Sequence, residues 1–378
     1  MAFTFPLDPR ELFAERSRQF RGWGIPAAII ERLRARVDDA WRDGPGGWTT
    51  EWVREAESAE RAGRRLLAAA CFGGAKFPSL VTASRREAYR RQIGCYLAAA
   101  HDFSCHFERR AIDVTYRGAT TTIQTHLFSP RSEGVDDAPV VILSGGVDTW
   151  KIELHRIALL FTRLGGFRVA AIDMPGTGES PVPLAPDADA IYRGVIEQLR
   201  NGDRGGRTRA AAFGLSAGGP WAAKLALTGA VDAAVDLGGP VGAASRDGAA
   251  LMRMPNGMPG IVANAVGLDT LPPPAEAESL VELFSLRAQG LLTPRPTPPI
   301  LAVNGTDDAY VPAGDLEVFR EFPDATVWAV PSASHCAAER IVPVLLAATL
   351  WLRVQLLGQR AIDRATLALV TRCWLRPR

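Results

Sequence analysis

The sequence predicts an α/β fold: a mostly parallel sheet flanked by helices, preceded by a helical N-terminal segment. Three observations predict it. Residues 1–110 carry apolar side chains at helical spacing. The texture becomes β-branched and alternating near Ala111. From there, short apolar strands alternate with helices along the chain. The expected division is a helical segment over 1–110 and an α/β domain over 111–378.

In the first segment Trp52, Ala56, Ala59 and Ala62 to Leu66 keep helical spacing, with Arg and Glu between them. Tyr89, Ile93, Tyr96 and Leu97 share one face of a second helix over 85–100, and Gly73-Gly74 and Phe77-Pro78 mark the break between the two. AIDVTYRG and TTTIQTHLF alternate about Arg117-Gly118, a hairpin signal. APVVILSGG is an apolar run ending in glycines, followed by an amphipathic helix over 153–164. FRVAAIDMPG reads as a buried strand and 190–200 as a helix. TRAAAFGLS is a strand running straight into a helix over 217–227, and VDAAVDLGG, PPILAVNG and ATVWAVPSASH complete the strands. Strands this continuously apolar need cover on both faces. Residues 245–275 interrupt the rhythm with Met252, Met254, Met258 and the run Leu271-Pro272-Pro273-Pro274. Methionine suits adaptable apolar surfaces, so a lid insertion beside a pocket is expected there, the alternative being an irregular loop. The apolar run 341–352, closed by Arg340 and Arg353, reads as a core helix, since a bilayer span needs about 20 residues.

Composition excludes several classes. With 43 basic and 41 acidic side chains the net charge is +2, which offers no electrostatic footprint for nucleic acid or an anionic membrane. Hydrophobic residues at 47% suffice for a full core. The N-terminus lacks a basic start followed by an apolar stretch, so no signal peptide is expected. Cys71, Cys95, Cys105, Cys336 and Cys373 are odd in number and lack C-x-x-C spacing, which fits reduced thiols in a cytoplasmic protein; Cys336 is expected as a small buried residue of the helix after it. His101, His106, His126 and His155 have no persuasive metal-ligand spacing, and no metal or cofactor is expected.

Gly214-Leu215-Ser216-Ala217-Gly218 matches G-x-S-x-G. The pattern alone is weak, but here it joins an apolar strand to a helix, as a nucleophile elbow of the α/β-hydrolase fold requires. A serine needs a base to attack at neutral pH. After Ser216 there is one histidine, His335, at the end of a strand. In this fold the acid lies between them in the chain. Asp307 and Asp308 compete for that place, and Gly305 to Pro312 fits G-x-x-D-x-x-V-P with Asp308 as the acid. The oxyanion donors are expected to be the N–H of Ala217 and that of Gly146 or Val147, after the VVILSGG strand. Asp173 to Ser180 looks like the D-x-P-G-x-G-x-S turn of many α/β-hydrolases and speaks for fold rather than chemistry.

With its helical N-terminus, its hairpin and the run Gly145-Gly146-Val147-Asp148-Thr149-Trp150-Lys151, the chain resembles the FrsA-like branch of α/β-hydrolases. That branch includes 2,6-dihydroxypseudooxynicotine hydrolase and fungal pigment hydrolases that shorten polyketide chains. The resemblance implies hydrolysis of a carbon–carbon bond next to a ketone, or of an ester, in a bulky aromatic or polyketide-like hydrophobic small molecule. It implies an N-terminal cap over the active site, Ser216, Asp308 and His335 as a triad, Gly145-Gly146-Val147 as the oxyanion turn, and dimers as in those relatives. The same triad would also serve an acyltransferase, thioesterase or cyclase of secondary metabolism. It assigns no role to Asp148 or Glu153.

Overall fold

The computed structural model describes residues 2–131, 137–201, 208–242, 247–358 and 361–372. Cys373 and positions 245 and 246 of the expected lid lie outside them. Five helices come first: α1 (Pro9–Gly22), α2 (Ala27–Arg36), α3 (Trp48–Arg61), α4 (Arg65–Lys76) and α5 (Ala83–Ala99). Asp8 caps α1 by accepting from the Arg10 N–H, and Pro9 fits its first turn. The helix expected to run from Trp52 to Leu66 is two helices, parted where Gly63 turns left-handed at φ +70°. The Gly73-Gly74 pair, expected as a break, lies inside α4 instead. A Cβ on Gly74 would stand 2.4 Å from the Trp52 ring and one on Gly73 2.6 Å from the Gln92 amide. These glycines let α4 press against α3 and α5, and the break falls at Phe77-Pro78 as expected.

Strand β1 (His106–Tyr116) pairs antiparallel with β2 (Ala119–Ser129). Arg117 and Gly118 both take positive φ, the two-residue turn whose twist suits a hairpin. β1 begins five residues before the change of texture at Ala111, so residue 110 falls within a strand. Then come β3 (Val140–Ser144), α6 (His155–Leu160), which continues into a π turn over Phe161–Gly165, β4 (Arg168–Ile172), α7 (Asp189–Asn201), β5 (Ala210–Leu215), α8 (Gly219–Leu227) and β6 (Ala233–Leu237). The stretch expected as a lid holds α9 (Gly248–Met252) and α10 (Met258–Val266), and α11 (Pro274–Phe284) extends it beyond 275. The chain continues through β7 (Ile300–Gly305), α12 (Ala313–Glu317), β8 (Ala325–Val330), α13 (Ile341–Leu356) and α14 (Ala361–Val370).

The eight strands form one sheet in the order β1-β2-β4-β3-β5-β6-β7-β8, parallel from β4 to β8. Every residue of β3, β6 and β7 is buried. Successive side chains alternate between two cores, as the period of two demands. Val141, Leu143, Ala211 and Phe213 join the core that holds the N-terminal helices and α13. Val140, Ile142, Ala210 and Ala212 join the core of α7, α8 and α10. Among the described residues no helix is long and apolar enough to cross a membrane.

Candidate active site

Strand β5 ends at Leu215, and Ser216 takes φ +55°, a left-handed conformation that costs a non-glycine residue energy and turns the chain sharply into α8. The flanking glycines are required by contact. A Cβ on Gly214 would lie 2.0 Å from the Gly218 carbonyl oxygen, and one on Gly218 2.5 Å from that of Gly145. The G-x-S-x-G spacing thus closes the turn and seats it on the loop after β3.

His335 follows β8. Its Nε2 lies 2.8 Å from Ser216 Oγ and its Nδ1 2.7 Å from Asp308 Oδ2. Asp308 is held on both oxygens: Asn304 Nδ2 donates to Oδ2 at 2.7 Å and the Tyr310 N–H to Oδ1 at 2.7 Å. Asp307 is exposed. Its N–H donates to the Ala333 carbonyl, and its carboxylate accepts from the Thr306 hydroxyl. The structure therefore brings Asp308, not Asp307, to the histidine. Burial raises the Asp308 pKa, but the bonds from His335, Asn304 and Tyr310 outweigh it, and the group stays below the usual carboxylate value. Burial lowers the His335 pKa, but Cys336 and the Asp308 carboxylate beside it prevail, and the imidazole is raised above its usual value. Cys336 is buried as expected, yet it stands in a left-handed turn before α13 rather than in that helix, donating to the Leu237 carbonyl.

Of the expected oxyanion residues, Gly146 lies against the serine. A Cβ there would stand 3.2 Å from Ser216 Oγ and 3.5 Å from the Ala217 nitrogen. Only glycine leaves that space open. Val147 lines the same cavity as Ser216 and Ala217. Asp148, Lys151 and Glu153 build the loop behind them. Glu153 accepts from the Trp150 N–H at 2.7 Å and pairs with buried Lys76 at 3.4 Å. Lys151 pairs with Asp173 and Glu179.

The cavity at Ser216 and His335 measures about 230 Å³. Its walls are mainly methionine and aliphatic side chains from α9, α10 and α11, with Trp221, Phe284 and Tyr310 as the aromatics. Its one lysine, Lys224, is paired with Asp189 at 3.0 Å. Among the described residues, none of 2–110 lines it. Helix α1 instead touches the loops that carry the site. Glu15 accepts from the Tyr310 hydroxyl at 2.5 Å, and the Tyr310 ring lies 5.2 Å from the His335 ring. Arg16 pairs with Asp148 at 3.4 Å, and Gln19 donates to Thr149 at 2.6 Å. Arg18 meets Glu339, which accepts from the Ser334 N–H just before His335. Sequence reasoning missed Tyr310, Glu15 and Arg16: nothing in a helix of weak apolar period says which loops it will meet. Among the described residues no group of His, Cys, Asp and Glu could hold a metal ion.

The model of the esterase FrsA-like family matches residues 39–355. Esterase FrsA of Vibrio cholerae serotype O1 is 27% identical over 320 residues, covering 79% of this chain and 75% of that one. Esterase FrsA of Salmonella typhi is 27% identical over 331 residues, covering 81% and 75%. Among solved structures, AbyA5 superposes with a TM-score of 0.74 at 24% identity, covering 91% of this chain and 95% of that one. 2,6-Dihydroxy-pseudo-oxynicotine hydrolase does so with a TM-score of 0.69 at 22% identity, covering 90% and 95%. At these identities the two structures establish the fold.

Proposed function

This chain belongs to the FrsA-like family of α/β-hydrolases, and on that premise we propose that it cleaves an ester, or a carbon–carbon bond beside a ketone, in an apolar small molecule, with Ser216 as nucleophile. The observation that carries the reading is the continuous bonding from Asp308 through His335 to Ser216 at the wall of an apolar cavity. His335 takes the Ser216 proton as the oxygen attacks the carbonyl carbon, and Asp308 holds the tautomer and stabilises the imidazolium. The Ala217 N–H and a backbone N–H of Gly146 or Val147 receive the oxyanion. The imidazolium then protonates the leaving group, and water attacking the acyl-enzyme releases the acid. For a ketone substrate the same proton goes to the departing carbon. The triad needs no cofactor.

The cavity wall supports an aliphatic or mixed substrate better than a wholly aromatic one. Its cover of α9, α10 and α11 supports reading that insertion as a lid. Residues 1–110 act as a second layer, a cap that braces the site from outside the cavity. A thioesterase would use the same triad with water; in the acyltransferase or cyclase reading, an alcohol or amine replaces water at the acyl-enzyme. Product analysis with and without added nucleophile separates it from hydrolysis.

The test of the nucleophile is Ser216→Ala. Turnover should fall on the order of 10⁴-fold or more with the circular dichroism unchanged. Retention of more than a few per cent of activity refutes the assignment. Across acyl sizes, kcat/KM should rise from acetyl toward longer apolar groups, because remote binding energy is used at the reacting carbon. Equal values for acetyl and the best longer ester would make this a generalist esterase.

A further inference from the structure

Helix α10 has two occupied faces. At 3.6 residues per turn, Met258, Pro259, Val262, Ala263 and Val266 fall on one side, and all five line the cavity at Ser216. Gly257, just before the helix, Gly260 and Asn264 fall on the other, and an arm formed by the residues ahead of α1 lies across them. A Cβ on Gly260 would stand 2.1 Å from the Phe5 ring and one on Gly257 2.6 Å from it, so glycine at both positions lets the ring seat directly on the helix backbone. Asn264 accepts from the Phe3 N–H at 3.0 Å and donates to the Phe3 carbonyl at 3.0 Å. Phe5 is 5% exposed and shares a core with Ile261 and Ala265 of α10.

The arm is held from its other side as well. Trp41 donates its indole N–H to the Phe5 carbonyl at 2.7 Å, and the two rings meet edge to face at 4.9 Å. The Arg85 guanidinium of α5 lies 4.1 Å from the centre of the Trp41 ring and donates to the Ala40 carbonyl. Contact thus runs from α5 through Trp41 and Phe5 to α10, and α10 is a wall of the cavity. A helix of nine residues has little stability of its own, so where α10 stands depends on what holds it. We propose that Phe3 and Phe5 are positioning residues that touch no substrate: they fix the α10 wall, and so set how much of a long apolar acyl group the cavity holds in contact. The inference rests on the proposed reading of Ser216 as nucleophile, and it can fail while that reading stands.

The experiment measures kcat/KM of the full chain for p-nitrophenyl octanoate and p-nitrophenyl acetate, and the readout is their ratio. Phe5→Ala should lower the ratio about tenfold, as if one or two methylenes of the octanoyl group had lost their burial, with the acetate value changed less than about twofold. Phe5→Leu, which keeps an apolar side chain on α10, should stay within about threefold of the wild-type ratio. If Phe5→Ala does not fold, Gly260→Ala serves: alanine suits a helix interior, and its Cβ would stand where the Phe5 ring lies, so the ratio should fall in the same way. A ratio that the folded variant leaves unchanged overturns the proposal. So does an equal loss on both esters, which would mark Phe5 as a residue of general stability. Failure of the nucleophile reading shows elsewhere, as activity on either ester persisting in Ser216→Ala.

Discussion

At the scale of single residues, the chain spends lysine sparingly: it has only Lys76, Lys151 and Lys224. Each is paired, with Glu153, with Asp173 and Glu179, and with Asp189, and the first two are wholly buried. They fix the loops after β3 and β4 rather than meet solvent. The proposed site residues were legible for a local reason. Ser216, Asp308 and His335 each stand just beyond a strand, and a strand-end motif states the geometry of its own turn. The choice of Asp308 over Asp307 follows from backbone: Asp307 donates its N–H to Ala333 and faces outward, which turns the next side chain toward His335. Because the base must be neutral to take the serine proton, and the His335 pKa is raised, kcat/KM should rise with pH through an inflection above about 6.5, the ordinary histidine value. Asp308→Asn should cut kcat by about 10⁴-fold and move that inflection down. Asp307→Asn should change the rate less than about twofold. Pre-steady-state assays across pH settle it, and an unmoved inflection in Asp308→Asn would sink the assignment.

At the scale of elements, strands were easier to place than helices. Buried parallel strands are continuous apolar runs, whereas α1 buries a mixed stripe that includes Arg16 and so weakens its helical signal. The glycines of α4 misled for a related cause. They answer a packing contact with Trp52 and Gln92 that no local pattern shows. Helix α1 matters beyond its own packing, because Glu15, Arg16, Arg18 and Gln19 reach the loops behind the expected acid, oxyanion and base positions. Tyr310 is the centre of this arrangement, accepting from Asn256 at 2.9 Å while donating to Glu15. Tyr310→Phe keeps the ring against His335 and removes the link. We expect kcat to fall about tenfold, with KM for a short ester little changed, as befits a positioning residue. Glu15→Gln should act through the same network, so the double variant should be no worse than either single one. Additive losses in the cycle would show that the two act independently.

At the scale of the whole molecule, the break in texture near Ala111 suggests a segment that could be detached, and the packing says otherwise. One hydrophobic core runs from Leu12 in α1 to Leu356 in α13, taking in Phe128, Val141 and Phe213 of the sheet on the way. Polar contacts cross the same seam. Gln92 donates to Glu153 at 2.5 Å, Lys76 lies 3.3 Å from the centre of the Trp150 ring, and the Tyr89 ring meets Trp150 at 4.9 Å. All three reach the loop that begins with Gly146 and Val147. Without residues 1–105, the aromatic face of Trp150, His155 and Phe128 would meet water, and Glu153 would lose the cation that balances it. Breaking a buried ion pair from one side alone costs about 3–5 kcal/mol, and burying one large apolar side chain contributes about 1.5–3 kcal/mol. A handful of such losses matches the whole net stability of a typical protein, about 5–15 kcal/mol. The chain should therefore unfold in one calorimetric transition, and a chain beginning at residue 106 should fail to yield soluble, active enzyme even toward a small ester. A second transition, or an active truncated protein, would mean that the helical segment is a separate domain laid over a self-sufficient hydrolase.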